Sequence, residues 1–472
     1  MKVSIVASEC SPFYKTGGLA DVIGSLPKAI SKLDCEVEVL LPLFHSQVPL
    51  ELSYVQTFLT TVKWRTNECS VYEWEQNKVR YLFFEHDDYF KRDHLYGYND
   101  EAERFIFFTH AIIQYYLLCE KKPNIVHCHD WQTGLLPLYL KQHNTLKKIK
   151  SVFTIHNLRY QGIFPSSIYN ELLELPKELY STVEMDGNIS FLKTAIVAAN
   201  YLTTVSPTYV NQIQTTEEGF GLDKLLSSRR NTLCGIVNGL DQISYHPASD
   251  QALVYPKSPS PDMKQINKRA IQIELNLKVD NEIPLFAFIS RLVPDKGVPL
   301  LLEAISKVTF PYQLAILGSG DSDLEQALLL KRAPHIAVEI GFYEERSRRL
   351  YAGADFLIMP SLKEPCGLNQ LIAMRYGTVP IVHSVGGLKD TIVPYQPYLY
   401  EGNGLVFSNG NANELANLLN DACSIYHHKE HFLQLRQNGL HTDSSWDQSA
   451  KIYYDLYHSL AMTEKRRPLW TH

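Results

Sequence analysis

The strongest constraint on this chain is an alternation that runs through it twice. Near-continuous apolar segments of strand length alternate with longer segments of helical period. The first series of strands reads as residues 2–9, 35–43, 123–129, 150–156, 200–206 and 233–238, with helical patterns at 102–118 and 133–143. Strands apolar on both faces and separated by helices belong in a parallel sheet that is covered on both sides. After Asn238-Gly239-Leu240-Asp241 the composition shifts. The stretch from Tyr245 to Pro261 holds four prolines, several serines and no clear period, and reads as a linker. The alternation then restarts with strands at 283–290, 312–321, 335–342, 355–361 and 378–384. The expectation is an α/β chain of two doubly wound domains. The first spans 1–241, a linker 242–261, and the second 262–448. The amphipathic pattern at 449–462, within a final segment 449–472, either caps the second domain or crosses back to the first. Residues 55–90 break the pattern, and 62–64 and 79–84 read as hairpin strands inserted in the first domain.

Each half carries a glycine pair between a strand and a helix. One is Lys15-Thr16-Gly17-Gly18-Leu19-Ala20-Asp21; the other is Val385-Gly386-Gly387-Leu388. Without a Cβ, such a loop lets backbone N–H groups approach a ligand, and the following helix adds partial positive charge that suits a phosphate. Two tight turns with no ligand would look the same. The two loops together suggest two domains that face one phosphorylated ligand. Ligand crevices of open α/β sheets lie at the carboxyl ends of their strands, and a cleft between two such edges is a common binding place.

Formal net charge is −6, which argues against general nucleic-acid binding. Bound phosphates must then be met by local cations. Arg291 and Lys296 follow the strand at 283–290, and two cations on one βα loop suit a diphosphate. Glu364, in Lys363-Glu364-Pro365-Cys366-Gly367-Leu368, follows the strand at 355–361 and suits sugar hydroxyls, with the N–H groups of Cys366, Gly367 and Leu368 opening the next helix. His127-Cys128-His129-Asp130-Trp131 invites a metal reading. Alternate strand residues face one side, however, so the two imidazoles equally line a cleft wall. His156-Asn157, Asn238-Gly239 and Tyr96-Gly97-Tyr98 are further polar or aromatic strand ends and turns. No dinucleotide fingerprint of G-x-G-x-x-G form follows a strand, and no Walker lysine motif occurs. The eight cysteines, Cys423 the last of them, are scattered without a C-x-x-C pair, which fits a reducing cytoplasm. No leader pattern and no apolar run of membrane-spanning length is visible.

Taken in order, Lys15–Val22, His129-Asp130-Trp131, His156-Asn157, Val237-Asn238-Gly239, Ser290-Arg291 with Lys296-Gly297, Glu364–Leu368 and Gly386-Gly387-Leu388 resemble the bacterial glycogen synthase and plant starch synthase family. The resemblance runs from residue 2 to about 460. It implies a GT-B glycosyltransferase: two Rossmann-like domains facing each other across a deep cleft. It implies transfer of glucose from ADP-glucose to the 4-hydroxyl at the non-reducing end of an α-1,4-glucan, with retention. No cofactor, metal, nucleic acid or membrane is implied. By the same resemblance, Lys15, Gly17, Gly18, Asp21, Asn238, Cys366, Gly367, Leu368 and Gly387 hold the nucleotide sugar with Arg291 and Lys296. His156, Asp130, Arg291, Lys296 and Glu364 are the catalytic set, and Tyr96 and Asn157 belong to the acceptor. A UDP-glucose-dependent enzyme of the same fold and a glucan-binding protein without turnover are the alternatives.

Overall fold

The computed structural model describes residues 1–44, 48, 51–255 and 261–462. The chain divides into two compact units: Met1–Gly239 with Trp446–His472, and Leu240–Ser445.

The first unit is built on one nine-stranded sheet. Its strands are β1 (Lys2–Val6), β2 (Glu36–Pro42), β3 (Ser53–Val62), β4 (Arg65–Gln76), β5 (Val79–Glu85), β6 (Ile125–His129), β7 (Lys150–Ile155), β11 (Tyr201–Thr204) and β12 (Leu233–Gly235). Their order is β12-β11-β7-β6-β1-β2-β5-β4-β3. A separate small antiparallel sheet holds β8 (Ile163–Pro165), β10 (Asn188–Ser190) and β9 (Glu184–Met185), which the apolar pattern does not reveal. Every residue of β1 and β6 is buried, as strands covered on both faces require. The segment expected as inserted hairpin strands forms two successive antiparallel hairpins, and these extend the main sheet. β5 pairs parallel with β2, and β4 and β3 add antiparallel beyond it. Their inner face keeps the alternation, with Phe58, Val62, Cys69 and Val71 buried, while the outer face is exposed. That is why the stretch departs from the continuous apolar runs of the central strands.

The second unit is a six-stranded, wholly parallel sheet of β13 (Leu285–Ile289), β14 (Gln313–Gly318), β15 (Ile336–Ile340), β16 (Phe356–Met359), β17 (Val379–His383) and β18 (Leu405–Phe407), in the order β15-β14-β13-β16-β17-β18. Alternate residues of β13 serve opposite faces. Phe286 and Phe288 join one apolar cluster with Ile316, Ile358 and Ile381. Leu285 and Ala287 join another with Leu317, Leu357 and Val382. The stretch read as a linker is largely packed. Leu240, Tyr245 and Leu253 are buried in the second cluster. Arg348 lies over the Tyr245 ring, and Tyr376 donates a hydrogen bond to Asp250. Its prolines and serines signal irregular backbone, not a free tether. Residues 256–260 of that stretch lie outside the described residues.

The last helix, Trp446–Met462, starts three residues before the sequence pattern and packs in the first unit against the helix Gly18–Ser31. Its inner face is Trp446, Ala450, Tyr453 and Tyr457. The Tyr457 hydroxyl meets His127 Nδ1 at 2.6 Å in a fully buried contact. No helix among the described residues is long and apolar enough to cross a membrane. Tyr457→Phe leaves that buried imidazole nitrogen unpaired and is expected to cost about 1–3 kcal/mol. Urea denaturation followed by circular dichroism measures this, and an unchanged midpoint would mean the contact carries no weight.

Candidate functional site

Both sheets reverse their winding once, and the polar residues gather there. In the second unit β13 is followed by β14 on one side, while the chain later returns to its other side as β16. The loops after β13 and β16 therefore leave in opposite directions, opening a crevice at their carboxyl ends. Arg291 and Lys296 come from the first of these loops and Glu364 from the second. Lys296 Nζ lies 2.5 Å from Glu364 Oε2, and both groups are largely buried. Ser361 Oγ donates to the same carboxylate oxygen at 3.0 Å. Arg291 is exposed at the head of its loop.

Backbone contacts lock the two loops together. The Asp295 carbonyl accepts from Leu362 N–H at 2.8 Å, and His383 Nδ1, at the end of β17, is 2.8 Å from the Ser361 carbonyl. Gly297 has φ +74°, and a Cβ there would fall 2.0 Å from the Pro360 carbonyl oxygen. Only glycine fits at this crossing. Asn369 Nδ2 donates to the Ile289 carbonyl at 2.8 Å, closing the end of β13.

The loop Cys366–Leu368 differs from the helix opening expected from sequence. The helix begins at Asn369 and is only seven residues long, and Gly367 sits at φ +75°. Gln370 Nε2 donates to the carbonyls of Cys366 at 3.1 Å and Gly367 at 3.0 Å, which fixes the turn from inside. Gly387 has a role within the protein itself. Its N–H donates to the Glu364 carbonyl at 3.0 Å, and a Cβ would fall 2.1 Å from the Cys366 carbonyl oxygen. This glycine lets two loops of the protein touch, and its N–H is engaged between them.

In the first unit the reversal lies between β1 and β6. Glu9 and the loop Lys15–Asp21 follow β1, Asp130 follows β6, and His156 and Asn157 follow β7. Glu9, which sequence reasoning missed, is the organiser. It is 4% exposed. Its carboxylate accepts from Thr16 N–H at 2.6 Å, Thr16 Oγ1 at 2.6 Å, Gly17 N–H at 3.3 Å and the Tyr96 hydroxyl at 2.8 Å. The Gly17 N–H thus faces an internal anion, and the phosphate reading of this loop is left to Gly18 and the first helical turn. Lys15 Nζ pairs with Asp21 Oδ1 at 2.7 Å. The Tyr96 hydroxyl also meets Ser8 Oγ at 2.7 Å, so its ring is held and not loosely presented. A carboxylate just after the first strand, followed at short range by a glycine pair, is the signal that would have found Glu9.

Asp130 holds a backbone φ of +57°, uncommon for a residue with a side chain. Its Oδ1 accepts the His156 N–H at 2.8 Å. Burial pushes its carboxyl up to about 7, and the Glu9 charge adds to the rise, against the pull of the backbone N–H donors of His156 and Asn157. Burial pushes His156 down to about 3, so its ring is neutral. Asn157 Oδ1 accepts from Arg159 N–H at 3.0 Å and shapes its own turn. Asn238 is buried, and its side-chain oxygen has no hydrogen-bond partner among the described residues. His127 and His129 do not line a cleft wall; both are fully buried. Among the described residues no three His, Cys, Asp or Glu side chains are grouped to hold a metal ion.

The carboxyl edge of β15 adds a feature absent from the sequence reading. Phe342 there is 74% exposed, and the neighbouring concavity of about 610 Å³ is lined by Ile340, Tyr343, Arg346 and Arg349 among others.

Comparison with known proteins identifies the family. Residues 2–228 match the starch synthase catalytic domain model, and residues 271–439 match the model of glycosyl transferases group 1. The glycogen synthase of Clostridium kluyveri is 40% identical, covering 98% of this chain and 100% of the relative. That of Halalkalibacterium halodurans is 44% identical, covering 98% of each. Among solved structures, the catalytic domain of starch synthase IV from Arabidopsis thaliana, bound to ADP and acarbose, superposes with a TM-score of 0.89 at 29% identity over 98% of this chain and 99% of that one. With identity of that order over nearly the full length, the chain belongs to the glycogen synthase family of glycosyltransferases.

Proposed function

We propose that this enzyme transfers glucose from ADP-glucose to the 4-hydroxyl at the non-reducing end of an α-1,4-glucan, with retention, releasing ADP. The observation that carries the reading is the Lys296–Glu364 pair, with Arg291 beside it in sequence, at the winding reversal of the second sheet. A cation already paired with a carboxylate is ready to exchange part of that contact for a phosphate oxygen. Arg291 and Lys296 then meet negative charge that grows as the glucose–phosphate bond breaks, and fixed cations stabilise that state more than the bound substrate. The leaving phosphate oxygen takes the proton of the attacking 4-hydroxyl on the same face. The C1–O bond to phosphate breaks as the C1–O bond to the glucan forms, so configuration is kept.

Glu364, released in part from Lys296, grips glucose hydroxyls together with the Cys366–Gly367 turn. Leu368 follows that turn as the residue before the helix. Asn238, with an unpartnered buried amide oxygen, and His156 contact the sugar near the reacting carbon. Lys15, with Gly18, serves the diphosphate, for which Asp21 is the resident competitor. Asp130 serves glucose and acceptor hydroxyls, and Tyr96 and Asn157 the acceptor. Phe342, an exposed ring at the carboxyl edge of the second sheet, is suited to stack on the nucleotide base. ADP as the leaving nucleotide has support from the starch synthase IV domain, which binds ADP and acarbose. All eight cysteines are free, which fits a cytoplasmic enzyme.

The direct test is nucleotide release by the purified protein with glycogen, comparing ADP-glucose with UDP-glucose in chelator. Glycogen-dependent ADP release is expected. Release from UDP-glucose alone would overturn the donor, and release from neither would overturn glucosyl transfer to glycogen.

Arg291 is exposed, so Arg291→Ala should leave the protein folded while lowering kcat by about 100-fold or more. Near-normal turnover would remove it from the clamp.

Asp130 sets a pH dependence. Its folded pKa, about 7, lies above the ordinary carboxylate value. Between about pH 4 and 7 the folded protein keeps a proton that the unfolded chain has lost, so this group's contribution to stability falls as pH rises through that window. Relative to wild type, Asp130→Asn should gain stability from about pH 4 to 7 and hold a constant difference above. Denaturant melts across pH measure it, and a pH-independent difference would refute the raised value.

A further inference from the structure

Two imidazoles of the His127–Asp130 segment have no part in the reaction just described, yet both are fully buried beside His156. His127 is tied at both nitrogens: Nδ1 to the Tyr457 hydroxyl at 2.6 Å and Nε2 to Thr154 Oγ1 at 2.6 Å, which in turn meets Thr203 Oγ1 at 2.5 Å. Its ring lies against that of His129, with centroids 4.0 Å apart. His129 Nδ1 meets His156 Nε2 at 2.9 Å. The other nitrogen of His129, Nε2, is buried and has no hydrogen-bond partner among the described residues. Burial keeps all three rings neutral: His127 and His156 are pushed down to about 3, and His129 well below its ordinary value.

A neutral imidazole has one N–H and one bare nitrogen. A hydrogen bond between two neutral rings therefore has two arrangements. In one, His156 Nε2–H donates to His129 Nδ1. His129 must then carry its own proton on Nε2, where a buried N–H would face no acceptor. In the other, His129 Nδ1–H donates to His156 Nε2, the unpartnered His129 Nε2 is a bare acceptor, and the proton of His156 resides on Nδ1. Orphaned buried N–H groups are the rarer and costlier defect. We propose that His129 is a positioning residue that fixes the tautomer of His156, so that His156 offers an N–H donor at Nδ1 to an oxygen of the sugar.

The clamp acts on both ends of His156. Its backbone N–H is held by Asp130 Oδ1 at 2.8 Å and its ring by His129. His156 Nδ1 has no partner within the described residues, and the side chain is half-buried. His127, anchored by Tyr457 and Thr154, forms the floor against which the His129 ring packs at a tilt of 38°. What the donor meets rests on the glucosyl-transfer reading; the tautomer itself does not.

The experiment is a two-bond ¹⁵N–¹H spectrum of the full chain labelled at histidine, with signals assigned through His156→Gln and His129→Asn. His156 and His129 are both expected protonated at Nδ1. Protonation of His156 at Nε2 overturns the proposal. This spectrum needs no substrate, so it decides the tautomer even if no sugar is transferred, and it decides it even if His129→Leu does not fold. Turnover supplies the second readout. Asparagine places an N–H close to the position of Nδ1, so His129→Asn should keep kcat within about threefold. His129→Leu, checked for folding by its thermal melt, should lose about tenfold in kcat with KM changed by less than about threefold, the worth of one oriented hydrogen bond. Equal losses in the two variants would overturn the positioning role.

Discussion

The candidate site in each unit depends on where the main sheet changes the direction of its winding. Helices that follow β13 and β16 run to opposite faces, so the loops that lead to them part and cannot fill the space above the strand ends. The same holds above β1 and β6. The chain then has to satisfy polar groups in a partly enclosed place with few neighbours. It does so with ionised side chains: Lys296 on Glu364 in one unit, and Glu9 under the Thr16–Gly17 backbone in the other.

The opposite ends of the same strands are fixed by buried polar contacts. Asp355, just before β16, accepts the Leu285 N–H at the start of β13 at 2.9 Å and pairs with Lys268 at 2.7 Å. Lys264, one turn earlier, is buried with its ammonium nitrogen 3.0 Å from the Tyr351 carbonyl, and desolvation holds its pKa well below the usual range. Pinned at their amino ends, β13 and β16 carry Lys296 and Glu364 at a set spacing at their carboxyl ends. Precision at the crevice is thus a property of the whole strand pair.

The sequence was most legible where one physical rule acted alone. Fully buried strands such as β1, β6 and β14 declare themselves by composition. So do the cations and carboxylates that follow them, because position after a strand is enough to place a residue on the crevice edge. Legibility failed where a residue answers to a partner far away in the chain. Nothing near Gly387 shows that its N–H serves Glu364, and nothing near Glu9 shows that it holds the backbone at Thr16 and Gly17. The two histidines before Asp130 look like cleft or metal residues because their alternation is visible, while Tyr457, which buries one of them, lies 330 positions away. The Pro-rich stretch failed for another reason. Proline reports the absence of regular structure, and Tyr245 and Leu253 pack well without any.

The path of the chain through its two units has a consequence for biosynthesis. The second unit is inserted in the first, since the chain leaves after Gly239 and returns at Trp446. On a ribosome, the second unit is complete in sequence before the first. The sheet of the first unit is made early, but the tyrosine that covers His127 emerges only after the whole of the second unit. Until then, the imidazole cluster beneath His156 has no lid, so a nascent chain can hold a finished second unit while the histidines of the first are still open to water.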